Sequence, residues 1–341
     1  MGGEPMKTLK LACWNVEWMD DLWPDLKASK YHIERRTHVA DEINEIGADV
    51  ICIEEGTSNP ADMRDFVNQF LPDYLLIARP DGEGWGIEGR QWIYFIVKPD
   101  VVDNARLMPI DEWYQKAPKK WPVHYWGNVK EYKHDHYRLP QVLRFDWEGQ
   151  EIEIVGAHLK SKINYKSPFK EGTHEWKIDF VEVALKARIK LATEAANMRK
   201  YLDGRFAEEA NPAIFLMGDF NDGPGKERIE REFMFFDLIS VLQGDVYFSN
   251  RFLNHALFDF QHDLRWSTYF KDKTDPDRDP HILLDHILFT QPLVNGALPV
   301  QVPAGAGQVE HVVHNRVNAG LSKKKITSDH RPVSVRLEWV E

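Results

Sequence analysis

The sequence predicts a layered α/β enzyme, and three observations carry that prediction. Seven short runs rich in β-forming residues are interleaved with two helical periodicities. Several of those runs end abruptly on Asn, Glu, Asp or His. With 341 residues, 43% of them hydrophobic, the chain can bury a large core. A single domain over residues 1–341 is expected, with insertions near 108–136 and 245–279.

Strands are predicted at 9–16, 49–53, 92–97, 141–147, 152–157, 213–218 and 284–290. Each is short and dense in β-branched, aliphatic and aromatic residues. The first, fifth and sixth finish at Asn15, His158 and Asp219, as in α/β enzymes that place ligands beyond strand ends. Between the first two strands, a helix over 33–46 puts Val39, Ile43 and Ile46 on one face, and Gly47 closes it. A second helix over 176–202 repeats Phe180, Ala184, Leu185, Ile189, Ala192 and Ala196 at helical spacing, with Gly204 just beyond its end. Segments 79–89, 108–136 and 245–279 read as long irregular insertions. Such loops are functional rims or surface, and 108–136 is a candidate wall of a substrate cleft.

A formal net charge of −11 argues against a surface that holds nucleic acid by a continuous basic face. It does not exclude a nuclease, because bound metal cations supply positive charge locally. Cys13 and Cys52 lie inside apolar runs and read as small buried hydrophobes, not as a disulfide framework or a zinc site. The opening residues hold no apolar leader core, and no stretch approaches the roughly 20 apolar residues of a membrane span. The expectation is a soluble, cytoplasmic protein without stable membrane association.

The polar strand ends carry the chemical signal. L-A-C-W-N-V-E-W places Asn15 and Glu17 past the first strand, and D-V-I-C-I-E-E-G places Glu54 and Glu55 at the end of the second. A-H-L-K-S supplies His158 and Lys160, M-G-D-F-N-D supplies Asp219 and Asn221, and S-D-H-R-P-V supplies Asp329 and His330. A buried apolar strand that ends on a carboxylate incurs a desolvation cost unless a cation or donor meets it. Carboxylate and amide oxygens suit Mg²⁺ or Mn²⁺, and no Cys/His cluster at zinc spacing competes. One or two such ions, an activating carboxylate and a histidine are what hydrolysis of a phosphate ester needs. They neutralise the phosphate, deprotonate water and stabilise the phosphoryl oxygens.

Taken in this order, the motifs resemble those of the endonuclease/exonuclease/phosphatase superfamily, over about residues 8–338. The resemblance implies the deoxyribonuclease-like four-layer α/β/β/α sandwich, two packed mixed sheets flanked by helices, and a divalent-metal-dependent phosphoesterase. Glu55, rather than Glu54, aligns with the metal-binding glutamate, and Asp329 would be a further acidic metal contact. Asn15 would sit beside metal and phosphate, and Glu17 falls where some members carry a second acid. Asp219 would orient or deprotonate the attacking water, and Asn221 would position the phosphate or a metal. His330 would stabilise the phosphate or protonate the leaving oxygen, its tautomer fixed by Asp285 of L-L-D-H-I-L-F. His158 matches the second histidine of the deoxyribonuclease-like branch, where apurinic endonucleases carry tyrosine, so a damaged-DNA repair role loses weight. Arg138, in Y-R-L-P-Q-V, resembles a phosphate-contacting arginine.

Beyond the motifs, Lys160 heads a stretch with Lys162, Lys166, Lys170 and Lys177 that reads as a basic lip for substrate phosphates. The leading expectation is therefore a nuclease that hydrolyses phosphodiester bonds in nucleic acid with Mg²⁺ or Mn²⁺. The alternative is a phosphatase or phosphodiesterase acting on a small phosphorylated metabolite or lipid headgroup. The acidic net charge favours the second, and Arg138 with the lysine lip favours the first. A non-catalytic binding module on this fold would require a decayed site, and no motif position has decayed.

Overall fold

Two mixed β-sheets pack face to face in the computed structural model, which describes residues 6–23, 30–80, 82–125, 129–234, 237–323 and 325–340. Strands β1 (Thr8–Asn15), β2 (Val50–Gly56), β3 (Leu75–Ile77) and β4 (Trp92–Val97) begin the first sheet. Strand β5 (Asp103–Leu107) opens the second, and a small hairpin of β6 (Trp121–His124) and β7 (Glu131–His134) follows it. Strands β8 (Gln141–Trp147), β9 (Gln150–Gly156), β10 (Ile214–Asp219) and β11 (Leu253–His255) extend that second sheet. After a ribbon of β12 (Thr268–Tyr269) and β13 (His281–Ile282), β14 (Asp285–Thr290) completes it. Strands β15 (Val300–Gln301), β16 (Gly307–Val309) and β17 (Val333–Trp339) return to the first sheet.

The strand orders are β15–β17–β1–β2–β4–β3, with β16 also on β17, and β11–β14–β10–β9–β8–β5. One pattern serves both centres: β1 is parallel to β2 and antiparallel to β17, while β10 is parallel to β9 and antiparallel to β14. The ends of the parallel strands and the starts of their antiparallel neighbours therefore lie at one end of the sandwich. The polar strand ends collect there.

Helices complete the outer layers: α1 (Lys30–Ile46), α2 (Pro60–Phe70), α3 (Ile110–Lys116), α4 (Ile178–Glu208), α5 (Arg228–Phe233), α6 (Leu238–Gln243) and α7 (His311–Val317). Val39 and Ile43 of α1 and Phe66 of α2 join a core that also holds Leu11, Phe145, Phe215 and Ile287 from the two sheets. On the other side, Leu191, Ala195 and Met198 of α4 meet Val155, Leu216 and Leu288 of the second sheet. The four-layer α/β/β/α arrangement is the one the motif resemblance implied. Between the sheets, a Cβ on Gly156 would stand 2.6 Å from Cys52 Sγ, so the layers close tightly there. Cys13 and Cys52 are register partners, buried and unbridged.

Three expectations change. Helix α4 does not stop before Gly204 but runs to Glu208. Gly204 serves packing instead, since a Cβ there would lie 2.9 Å from Lys116 Cγ of α3. Segment 108–136 is not irregular: its described residues form α3 and the β6–β7 hairpin, and Trp113 stacks on Tyr201 of α4 at 4.4 Å between ring centroids. Segment 245–279 contributes β11 and β12, and Thr268 bridges to His330. No helix among the described residues is long and apolar enough to cross a membrane.

Candidate active site

Strand β2 does not end as an ideal strand. Its pairing with β4 shifts register between Ile53 and Gly56, and Glu55 takes the left-handed conformation at φ 56°. Side chains of a regular strand alternate faces, and Glu54 is the one that points between the sheets, toward Gly218. The bulge re-aims Glu55 into the end of the sandwich. Its Oε1 accepts from Asn15 Nδ2 at 3.2 Å, and its Oε2 accepts from the Trp18 amide at 2.9 Å. The same Asn15 Nδ2 donates to Asp219 Oδ2 at 2.9 Å, so one amide gathers carboxylates from both sheets. Burial, with Asp285 adding to it, pushes the Glu54 carboxyl well above its ordinary range and leaves it neutral.

Asp219 reaches this point through Gly218 (φ 132°), where a Cβ would lie 2.1 Å from the Ala157 carbonyl oxygen. Only glycine fits that approach. Asn221 (φ 53°) folds the following loop back: its main-chain N–H donates to Asp219 Oδ1 at 2.8 Å and its Nδ2 to the Leu159 carbonyl at 3.0 Å. Glu17 (φ 48°) and Trp18 (φ 52°) join Glu55 and Asn221 as left-handed non-glycine residues around one point. Such residues cost on the order of 1 kcal/mol each and cluster where function holds them.

His330 stands on the other side. Its Nδ1 bonds Asp285 Oδ2 at 2.7 Å, and its main-chain carbonyl accepts from Trp14 Nε1 at 3.0 Å. Burial alone would depress the imidazole, but the Asp285 charge and hydrogen bond, with Asp219 beyond, hold it well above its ordinary value. His330 is therefore the charged histidine. His158 is the neutral one, pushed down by burial and by the neighbouring charges of Arg138 and His330. Its Nε2 lies 3.5 Å from Asp219 Oδ2 and 3.9 Å from Glu55 Oε1. Atoms of Asp219, Asp285 and His330 fall within 4.8 Å of one another, a spacing that would suit a metal. The short Asp285–His330 hydrogen bond accounts for that closeness, so the trio reads as a proton-handling unit.

Glu17 and Asp329 crowd the rim. Burial raises the Glu17 carboxyl, and the charges of Asp329 and Glu55 raise it further. Among the described residues, no lysine or arginine forms an ion pair with Glu55 or Asp219; His158 approaches both, and His330 stands within 4.8 Å of Asp219. Arg138 is beside the centre but buried, with its three guanidinium nitrogens donating to the carbonyls of His158 and Leu159 and to Gln91 Oε1. It braces the strand end that carries His158. Lys160 donates its Nζ to the Ser161 carbonyl and its main-chain N–H to Glu194. The lysine lip is largely neutralised: Lys162 is buried among Asp222, Glu227 and Glu230, Lys166 pairs with Asp179, and Lys170 pairs with Glu175. Lysines spaced along a loop say nothing about which acids fold over them.

One structural residue escaped sequence reasoning. Arg35 of α1 donates to the carbonyls of Val16 (2.8 Å), Glu17 (2.6 Å), Thr327 (2.9 Å) and Ile326 (3.2 Å), tying the turn after β1 to the segment before Asp329. Its signal was present: Arg35 stands four residues before Val39 on the buried stripe of α1, where a charge needs a reason. Ser328 adds a second tie, its Oγ donating to the Asn15 carbonyl at 2.6 Å and accepting from the His330 amide at 3.0 Å. A cleft of about 1140 Å³ opens beside this region, its walls including Glu17, Trp18, Arg35, Asp62 and Arg90.

No family model matches the sequence, and no curated protein matches it. Solved structures do. Truncated TDP2 from Caenorhabditis elegans aligns with 98% of this chain and 98% of its own, at TM-score 0.52 and 12% identity. TDP2 from D. rerio, complexed with single strand DNA product, aligns over 97% and 98% at TM-score 0.51 and 12% identity. An endonuclease/exonuclease/phosphatase family protein from Bacteroides thetaiotaomicron aligns over 99% and 100% at TM-score 0.50 and 15% identity. At such identities the likeness shows the fold, which is the deoxyribonuclease-like fold of that superfamily.

Proposed function

We propose that the protein is a Mg²⁺- or Mn²⁺-dependent phosphoesterase that hydrolyses phosphodiester bonds, with nucleic acid the first candidate substrate. The observation that carries this reading is the Asn15 amide holding Glu55 and Asp219 together with no lysine or arginine paired to either among the described residues. Glu55 and Asp219, with Glu17 and Asp329 at the rim, are the oxygen donors that would hold the ion. When bound, the ion supplies charge neutralisation at the phosphate and a readily deprotonated water.

The remaining roles follow from the side chains. Asp219, held above the ordinary carboxylate range by burial in spite of the opposing His330 charge, takes a proton from the attacking water. Asn15 and Asn221 fix its two oxygens. His330, kept protonated by Asp285, stabilises the phosphoryl oxygens and gives its Nε2 proton to the leaving oxygen. His158 offers a neutral donor that adds no charge beside the acids. The DNA-complexed neighbour supports a nucleic-acid diester, whereas the neutralised lysine lip favours a second reading, a small phosphodiester.

A hydrolysis panel separates them: plasmid DNA, single-stranded DNA, RNA, bis-p-nitrophenyl phosphate, p-nitrophenyl phosphate and sphingomyelin, each with Mg²⁺ and with Mn²⁺. Diester cleavage that EDTA abolishes and metal restores is expected. Added Mg²⁺ should also stabilise the fold, by about 2.7 kcal/mol at a hundredfold excess over Kd. Activity that survives thorough chelation overturns the metal reading, and cleavage of monoesters alone replaces it with a phosphatase.

A further inference from the structure

The cleft beside the candidate centre has a wall that phosphate chemistry does not use. Trp18 sits on the strained turn with Glu17, and its main-chain N–H holds Glu55, yet its indole is 42% exposed. Core packing does not explain a large ring left in solvent beside a candidate metal ligand. The ring is also braced. Arg90 Cζ lies 5.0 Å from its centroid, and the Arg90 guanidinium donates to Asp20 Oδ2 at 2.9 Å and Asp21 Oδ1 at 2.6 Å. Asp20 is fixed in turn by the Ser58 N–H and hydroxyl at 2.7 and 2.9 Å. Trp18 is thus an oriented plane on the wall of a cleft of about 1140 Å³, wide enough for a nucleoside.

Charge narrows what such a plane can hold. The cleft carries the carboxylates of Glu17, Asp20, Asp21 and Asp62, against Lys323 and His32 besides its two arginines. Of its arginines, Arg90 is committed to Asp20 and Asp21, and Arg35 to main-chain carbonyls. A continuing row of phosphates would meet repulsion there. An uncharged flat ring with polar edges meets a stacking face in Trp18, in a cleft that Asn59 and Asp62 also line. We propose that the cleft is the subsite for one nucleobase, attached next to the scissile phosphate and stacked on Trp18. The assignment rests on the phosphoesterase reading and sharpens it: the substrate is a nucleotide ester or a chain terminus, because a polymer cannot thread this side.

The test compares two esters with one leaving group, thymidine 5′-(p-nitrophenyl phosphate) and methyl p-nitrophenyl phosphate, on wild type, Trp18→Ala and Trp18→Phe. The ratio of kcat/KM for the nucleoside ester over the methyl ester should fall about tenfold in Trp18→Ala, chiefly through KM, the size of one base–aromatic stack. Trp18→Phe should recover most of it. An unchanged ratio, or equal losses on both esters, overturns the subsite. Phenyl p-nitrophenyl phosphate tells any aryl group from a base: equal preference for it replaces the nucleobase with a simple aromatic ring and overturns the assignment. Calorimetric binding of thymidine without metal gives a readout apart from turnover. Thymidine binding that Trp18→Ala abolishes, in a protein that cleaves neither ester, keeps the subsite and removes the phosphoesterase. Metal-dependent cleavage with no base preference and no thymidine binding does the reverse.

Discussion

The end of β10 and the loop after it supply one aspartate each to two buried acidic clusters, and the two are neutralised by different means. Asp222, with Glu227 and Glu230 of the α5 capping box, surrounds Lys162 Nζ at 2.5, 2.8 and 3.2 Å. Arg188 pairs with both glutamates and Arg278 approaches Glu227. Burial would raise the Glu227 carboxyl, but Lys162 and Arg188 hold it down at about 2. Asp219, three residues upstream, meets an asparagine amide, a neutral histidine and the charge of His330, but no lysine or arginine pairs with it among the described residues. Buried carboxylates need compensation. Where the chain brings its own ammonium, the cluster is architecture. Where it supplies only amides and histidines among strained residues, the cluster has the donor set that the proposed metal site calls for.

The contrast can be broken at either end. The largest effect is expected from Asp219→Asn or His330→Ala, each lowering kcat by about 10²–10⁴ with a folded, cooperatively melting protein; full turnover in either purified variant would end the assignment. Next is Lys162→Met, which removes the ammonium and leaves Asp222 unpaired beside two glutamates that keep only Arg188 and Arg278. A loss of about 3–5 kcal/mol in urea unfolding at pH 7 is expected, partly returned by millimolar Mg²⁺ because the variant cluster then resembles its neighbour. Wild-type stability in that variant would show that the two clusters do not differ as described.

The smallest effect concerns the histidines behind Asp222. His286 donates Nε2–H to the Asp222 carbonyl and accepts from His255, whose Nδ1 takes the Leu257 N–H, so a proton on His255 breaks the relay. Burial, then the neighbouring His286 and Arg265, depress His255 to about 3. The folded state therefore keeps it neutral while the unfolded chain binds a proton below about 6.5. Its contribution to stability is complete above that pH and is lost as pH falls toward 3, at up to about 1.4 kcal/mol per pH unit. Urea unfolding at pH 7 and pH 5 should show a shallower pH dependence in His255→Gln than in wild type; identical dependence would remove the role given to His255.

What the sequence disclosed was local and periodic. The strands at 92–97 and 141–147 have the predicted bounds, because a short run of apolar β-formers leaves few alternatives. Asn15, Glu55 and Asp219 were legible because a polar residue closing an apolar strand is conspicuous, His330 was legible through its S-D-H motif, and the structure brings all four together. What escaped needed the third dimension. The Lys162 cluster depends on α5 folding over a loop more than sixty residues upstream in sequence. Strand β17 hid behind the motif that precedes it, and the role of Thr268 exists only through its bridge to His330. Arg35 was readable in principle, as a charge on an apolar stripe, but its carbonyl partners come from two separate loops.

The tie between Ser328 and Asn15 spans 313 residues of chain, and the Asn15–Asp219 hydrogen bond spans 204. Neither sheet alone holds a working set of side chains. During synthesis, the first sheet lacks its β17 partner until residues 333–339 have emerged, after every strand of the second sheet. The candidate centre is therefore among the last features to assemble. A chain that has not yet reached residue 330 lacks the Ser328–Asn15 tie and His330, so the candidate centre stays incomplete until that segment joins the first sheet.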